Sequence, residues 1–280
     1  MKKTEIEMNI VKIGGSTAQQ MFQYAFYLEL CRHDARACLD VPAGHWIKSQ
    51  FKLPYFLEAS PEQLGYFGKG GVVNRLKSIF GNVPGDVFKE PQGMPFDAKI
   101  FDKTDTYLDG DWISPRYFES VAQKVRDAFS VPEKKLPASS KSMINMLSQG
   151  KTVAVHVHEP KDKSNTCTPD YYNWAIANVL SFIPKAHFYV FTTAVEWAKA
   201  FLDFQGAAVD FVGYPADKET SLLPYLYHAE HNIMAATLIS WWAAWLNAHD
   251  DKIVIAPDKW PKNVDYPDLV PLHWTTIPTT

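Results

Sequence analysis

Short apolar runs alternate with stretches of helical spacing along most of the chain. Residues 9–13 read as a short buried strand, Gly14-Gly15 breaks it, and residues 19–33 carry Met21, Phe22, Ala25 and Leu28 one helical turn apart. Residues 35–39 read as the next strand. The stretch 42–95 is rich in glycine and irregular, which predicts loops and short helices around a site. A further strand at 106–108 leads through Asp109-Gly110-Asp111-Trp112 to a helix over 116–129.

Between 131 and 140 the pattern breaks on Pro132, Pro137 and several lysines, which places a domain boundary there and divides the chain into 1–140 and 141–280. Beyond it the rhythm is regular. Strands are predicted at 153–157, 186–191, 208–212 and 252–255. Thr168-Pro169 starts a helix, with a cap hydroxyl followed by proline in the first turn. Thr193-x-x-Glu196 is a capping box opening a helix through Phe201, residues 221–228 are helical, and residues 232–235 lead to a helix from Thr237 through Asn247. Short apolar strands alternating with helices of about ten residues specify an α/β protein with a parallel sheet covered on both faces. The second half is therefore Rossmann-like.

Composition narrows the chemistry. At 46% hydrophobic, 14% aromatic and 21% charged, the chain is that of an ordered protein. Lysine and arginine total 28 against 31 acidic residues, a formal charge of −3, so there is no broad basic face for nucleic acid, although a local basic pocket is compatible. Cys31, Cys38 and Cys167 fit no metal or disulfide spacing and read as reduced thiols, which favours the cytoplasm. Residues 1–7 carry charge where a signal peptide has its apolar stretch, and the longest apolar run, 233–248, is interrupted by Thr237, Ser240 and Asn247. No membrane span is expected. Peripheral association and oligomeric state stay open.

In open parallel sheets ligands sit beyond the carboxyl ends of the strands, where helix N-termini offer unpaired amides. The turns at 14–20, 156–168, 192–196 and 236–241 therefore matter most. The first matches neither a P-loop nor the Gly-x-Gly-x-x-Gly fingerprint, which argues against triphosphatases and dehydrogenases. His156 and His158, two apart on a strand, share a face, and Glu159 and Asp162 follow. With His228 and His231 a metal site can be drawn, but no spacing matches a known ligand set; hydrogen bonding to phosphate or sugar is the expectation. In Ser240-Trp241-Trp242-Ala243-Ala244-Trp245, Trp242 and Trp245 are read as packing, and Thr237 and Ser240 as capping groups that touch a ligand.

The same residues carry a resemblance. The run 13–25, Ile-Gly-Gly-Ser-Thr-Ala-Gln-Gln-Met-Phe-Gln-Tyr-Ala, resembles the motif G-G-L-G-N-Q-M-F-Q-Y-A of family 11 glycosyltransferases, the bacterial alpha-1,2-fucosyltransferases. Tyr107-Leu108-Asp109-Gly110-Asp111-Trp112 resembles that family's Y-L-x-G-Y-W, and Thr168-Pro169-Asp170-Tyr171-Tyr172 its C-S-x-x-Y-Y. His231-Asn232-Ile233 through Asn247 resembles H-N-I-I-A-N-S-S-F-S-W-W-G-A-W-L-N, and residues 252–260 resemble the closing segment.

The resemblance implies a GT-B architecture: two Rossmann-like domains facing a cleft, the first holding the acceptor sugar and the second the nucleotide-sugar. It also implies inverting, metal-independent transfer of fucose from GDP-fucose to a glycan hydroxyl, with no further cofactor. The departures fall on the donor grip. Where the family has His-x-Arg-Arg-x-Asp, this chain reads His156-Val157-His158-Glu159-Pro160-Lys161, without either arginine. On this reading His156, His158 and Lys161 line the diphosphate side, and Thr192, Asn232, Thr237 and Ser240 border the nucleotide. Gly15, Gln19 and Gln20 face the cleft, and Glu159 or Asp162 is the base. The alternative is a catalytically weakened family member that serves as a glycan-binding or assembly partner.

Overall fold

The computed structural model describes residues 8–41, 44, 47–68, 85–131, 136–158, 167–260 and 264–279. The chain divides into two compact units, Met1–Phe129 with Tyr266–Leu269, and Ser130–Asp265 with Val270–Thr280. The division lies ahead of the 140 boundary read from the sequence. The helix Ala138–Leu147 explains the difference: it buries Ile144 and Leu147, and Ser140 on it hydrogen-bonds Tyr225 of the second unit.

The first unit is built on a four-stranded parallel sheet. Its strands are β1 (Ile10–Lys12), β2 (Cys38–Asp40), β3 (Asp86–Lys89) and β4 (Thr106–Asp109), in the order β2-β1-β4-β3. Helix α1 (Thr17–His33) follows β1. Ser16 caps it in a capping box with Gln19: the Gln19 amide N–H donates to the serine hydroxyl, and the serine N–H to the Gln19 side chain. Buried residues surround α1, including Gln20, Gln23 and Glu29, so it is a central helix. Gln20 is correspondingly not a cleft residue. Its amide donates to the Gly15 carbonyl and accepts from the Ile47 N–H, fixing a short turn against the helix.

The expected helix over 116–129 is divided. A 3₁₀ segment, Pro115–Val121, runs into α3 (Ala122–Phe129) with non-helical backbone at Phe118, and a short helix α2 (Pro61–Tyr66) precedes both. Trp112 stacks on Phe26 with ring centroids 4.2 Å apart and anchors the turn after β4 in the core.

The second unit carries a six-stranded parallel sheet. In sequence its strands are β5 (Thr152–Val157), β6 (His187–Thr192), β7 (Ala208–Gly213), β8 (His231–Ile233), β9 (Val254–Pro257) and β10 (Thr275–Ile277). The order β10-β9-β8-β5-β6-β7 puts β5 at the centre. Its helices are α4 (Ala138–Leu147), α5 (Pro169–Phe182), α6 (Val195–Phe201), α7 (Leu223–His228) and α8 (Leu238–Leu246). Thr168 caps α5 as the sequence predicts, with Pro169 in its first turn. The capping box at Thr193 does not form; Ala194 precedes α6 without a side-chain cap, while the Thr192 hydroxyl accepts from the Ala194 N–H.

Core packing also holds the region around β5. Tyr171 and Tyr172 of α5 are fully buried, and the Tyr171 hydroxyl donates to the Met234 carbonyl at the end of β8. Trp241, Trp242 and Trp245 pack among themselves within α8, with Trp241 and Trp242 wholly buried. Among the described residues, no helix is long and apolar enough to cross a membrane.

Candidate functional site

β5 is buried along its whole length, so its carboxyl end delivers His156 and His158 to one face with little freedom. His156 is fully buried. Its Nδ1 lies 2.5 Å from the Ser240 hydroxyl and its Nε2 2.7 Å from the Tyr214 hydroxyl. Burial holds its imidazole neutral, lowering its pKa to about 3 against the opposing pull of Glu219. Ser240 belongs to the first turn of α8; it also accepts from the Ala235 N–H and lies against Thr237. Thr237 is the N-cap, its hydroxyl accepting from the Ser240 N–H at 3.2 Å.

Two members of this cluster escape the sequence reading. Tyr214, just past β7, reaches both histidines, with its hydroxyl 3.5 Å from His158 Nε2. Glu219, in a 3₁₀ segment, lies 3.3 Å from His158 Nε2 and 4.0 Å from His156 Nε2. Burial alone would raise the Glu219 pKa. The His158 hydrogen bond, the two neighbouring imidazoles and a hydrogen bond with Thr237 prevail and lower it, so Glu219 is a carboxylate at neutral pH. No motif marks either residue; the only sequence cue is that Tyr214 follows a strand's carboxyl end.

The other predicted residues fall differently. Thr192 enters through its backbone, where its carbonyl accepts from the Tyr214 N–H and so helps to place that ring. Asn232 is not available to a ligand: it is buried, donates to the Leu226 carbonyl and accepts from the Asn247 amide. Glu159, Lys161 and Asp162 lie outside the described residues. Arg116 pairs with Asp268 at 3.0 Å and lies over the Phe96 ring.

The ligand-type atoms of His156, His158 and Glu219 lie within 4.8 Å of one another, a spacing that a divalent metal can bridge. Both nitrogens of His156 already have hydroxyl partners, however, so an ion has to displace Tyr214 or Ser240. As it stands the cluster is a satisfied hydrogen-bond network next to a helix N-terminus. It offers imidazole, hydroxyl and amide groups to an anion, and among the described residues a single carboxylate, Glu219, opposes them.

The first unit has its own polar site at the carboxyl ends of β1, β3 and β4: a cavity of about 340 Å³. The glycine turn after β1 forms one wall, with Gly15 in the left-handed region at φ +79. Gln23 binds the turn to β4, accepting from the Gly14 N–H and donating to the Gly110 carbonyl. Glu90 closes the opposite side by accepting from the Asp111 and Trp112 N–H groups, and burial raises its pKa. Gly110 is confined between them: a Cβ there meets Glu90 at 2.6 Å and Trp112 at 2.8 Å. Gly110→Ala is therefore expected to cost about 1–3 kcal/mol through overpacking, read as a lower urea midpoint with unchanged slope.

Two parallel-sheet units, each with polar groups gathered at the carboxyl ends of its strands, define a GT-B glycosyltransferase fold. A mutant of Arabidopsis thaliana FUT1 solved in complex with GDP shares it, with a TM-score of 0.52 at 10% identity over 94% of this chain and 72% of that one. The chain belongs to glycosyl transferase family 11, whose model matches residues 110–268. It is 27% identical over 179 residues to an alpha-1,2-colitosyltransferase of Escherichia coli, covering 60% of this chain and 61% of that protein. It is also 33% identical over 93 residues to the Escherichia coli O-antigen biosynthesis glycosyltransferase WbnK, covering 32% and 30%. The chain thus spans less than two thirds of either relative.

Proposed function

We propose that the protein is an inverting glycosyltransferase that moves a fucose-like sugar from a nucleoside diphosphate, GDP by default, to a glycan hydroxyl in surface polysaccharide synthesis. Family membership and the names of its two relatives support the reaction class. The observation that carries the donor assignment is the cluster of His156, His158, Tyr214, Thr237 and Ser240 at the N-terminus of α8, since such an end favours a diphosphate. The second unit holds the donor and the first the acceptor, and the reaction takes place in the cytoplasm.

The grip differs from that of an arginine site. The sequence has no arginine after Arg126, so within the second unit the diphosphate is held by hydroxyls, helix amides and His158. Both His156 nitrogens are engaged, which argues against a metal at this cluster, and EDTA is expected to leave the transfer rate unchanged.

Nucleotide titration tests this reading. GDP at a hundred times its Kd is expected to stabilise the protein by about 2.7 kcal/mol, and ADP or UDP by less. His158→Ala should weaken that binding roughly ten- to hundredfold, the equivalent of one charge-assisted hydrogen bond. A protein whose melting responds to no nucleotide is instead a glycan-binding partner.

A further inference from the structure

The cavity of the first unit is lined by Lys12, Lys89, Glu90, Asp109 and Asp111, with the ring of Tyr266 beside them. Two lysines against three carboxyls leave it one negative charge, and Lys12 is already bonded to both Asp109 oxygens, at 2.9 and 3.1 Å. An anionic ligand meets repulsion here. A polyhydroxyl ring meets groups of both senses, since each hydroxyl donates and accepts, and the lining supplies ammonium donors, carboxylate acceptors and a glycine-turn backbone. At about 340 Å³ the cavity lies within the roughly 300–1,000 Å³ range of small-molecule sites.

Asp111 is the carboxylate anchored to α1. Gln19 donates to one of its oxygens at 3.0 Å and Gln23 to the other at 3.3 Å, both from α1. Two amides fix the carboxylate and leave lone pairs on each oxygen. Tyr266 adds an aromatic side chain to the lining.

We propose that this cavity binds an uncharged sugar ring and that Asp111 accepts a hydrogen bond from one of its hydroxyls. The proposal rests on the glycosyltransferase reading and names its acceptor class: a neutral sugar in preference to a uronic acid or another acidic sugar. Asp111 is then a specificity-determining contact of the acceptor.

The test is binding to the full chain, followed by ligand-observed NMR, of methyl galactoside, N-acetylglucosamine and glucuronic acid. At least one neutral sugar is expected to bind, with glucuronic acid at least tenfold weaker. Asp111→Asn, of nearly the same shape, should weaken the neutral sugar at least tenfold while the melting shift given by GDP stays as in the parent protein. Tyr266→Ala should weaken it as well and serves if the Asp111 variant fails to fold. Absence of sugar binding, equal binding of glucuronic acid, or binding indifferent to both variants overturns the proposal. Because the GDP shift is read in the same samples, a parent protein that responds to GDP but binds no neutral sugar sinks this inference alone, and one that binds the sugar but not GDP sinks the donor assignment alone.

Discussion

His156→Leu is expected to destabilise the protein by about 2–5 kcal/mol, although leucine fills much of the same space. The ring is fully buried and satisfies two hydroxyls, Ser240 at 2.5 Å and Tyr214 at 2.7 Å, and each buried polar group left without a partner costs about 1–3 kcal/mol. Ser240 retains the Ala235 N–H, which places the expected loss below the sum of two orphaned groups. Urea unfolding measures it; a loss under about 1 kcal/mol would show that the hydroxyls re-pair locally.

The same residue gives a pH signature. Its folded pKa, about 3, lies below the unfolded value near 6.5, so the unfolded chain binds the extra proton. The stability linked to a neutral His156 is complete above pH 6.5 and declines as pH falls from 6.5 towards 3, at up to about 1.4 kcal/mol per pH unit. His231, its pKa lowered by burial, and Glu219, its pKa lowered by its histidine partners, slope in the same direction. Melting temperatures of the parent protein should thus fall between pH 7 and 4, and those of the leucine variant should fall less steeply.

What sequence reading reaches depends on how local the cause is. Thr168-Pro169 and Thr237 are legible as helix starts because cap and capped amide lie three residues apart, and β5 and β6 are legible as apolar runs because the sheet buries both of their faces. β3 is not: it is largely exposed, and Asp86-Val87-Phe88-Lys89 alternates too little to stand out from a loop. β10, three residues at a sheet edge, fails likewise. At the site, His156 and His158 are legible as a pair on one strand. Glu219 is not, because it arrives from 61 residues away on a short 3₁₀ turn whose sequence carries no period. Gln20 misleads for the opposite reason: it stands beside a ligand-type glycine turn, yet the all-round burial of α1 turns its amide inward.

The largest gain in donor affinity is expected from His158→Arg combined with Glu219→Gln. Arginine carries a permanent charge and a planar fork suited to phosphate oxygens, and an imidazole has no such fork. His158→Arg alone should gain little, because Glu219 lies 3.3 Å from the present ring and an arginine placed there pairs with it instead. Removing the acid frees the fork and withdraws the carboxylate that faces the cluster among the described residues. Each charge-assisted hydrogen bond is worth about 1.5–3 kcal/mol, so one further bond to GDP corresponds to roughly ten- to hundredfold tighter binding by calorimetry. Raising salt should erode this gain more than it erodes binding to the parent protein, since the added attraction is ionic. A double variant that folds and binds GDP no more tightly would mean that the diphosphate does not lie at the end of β5.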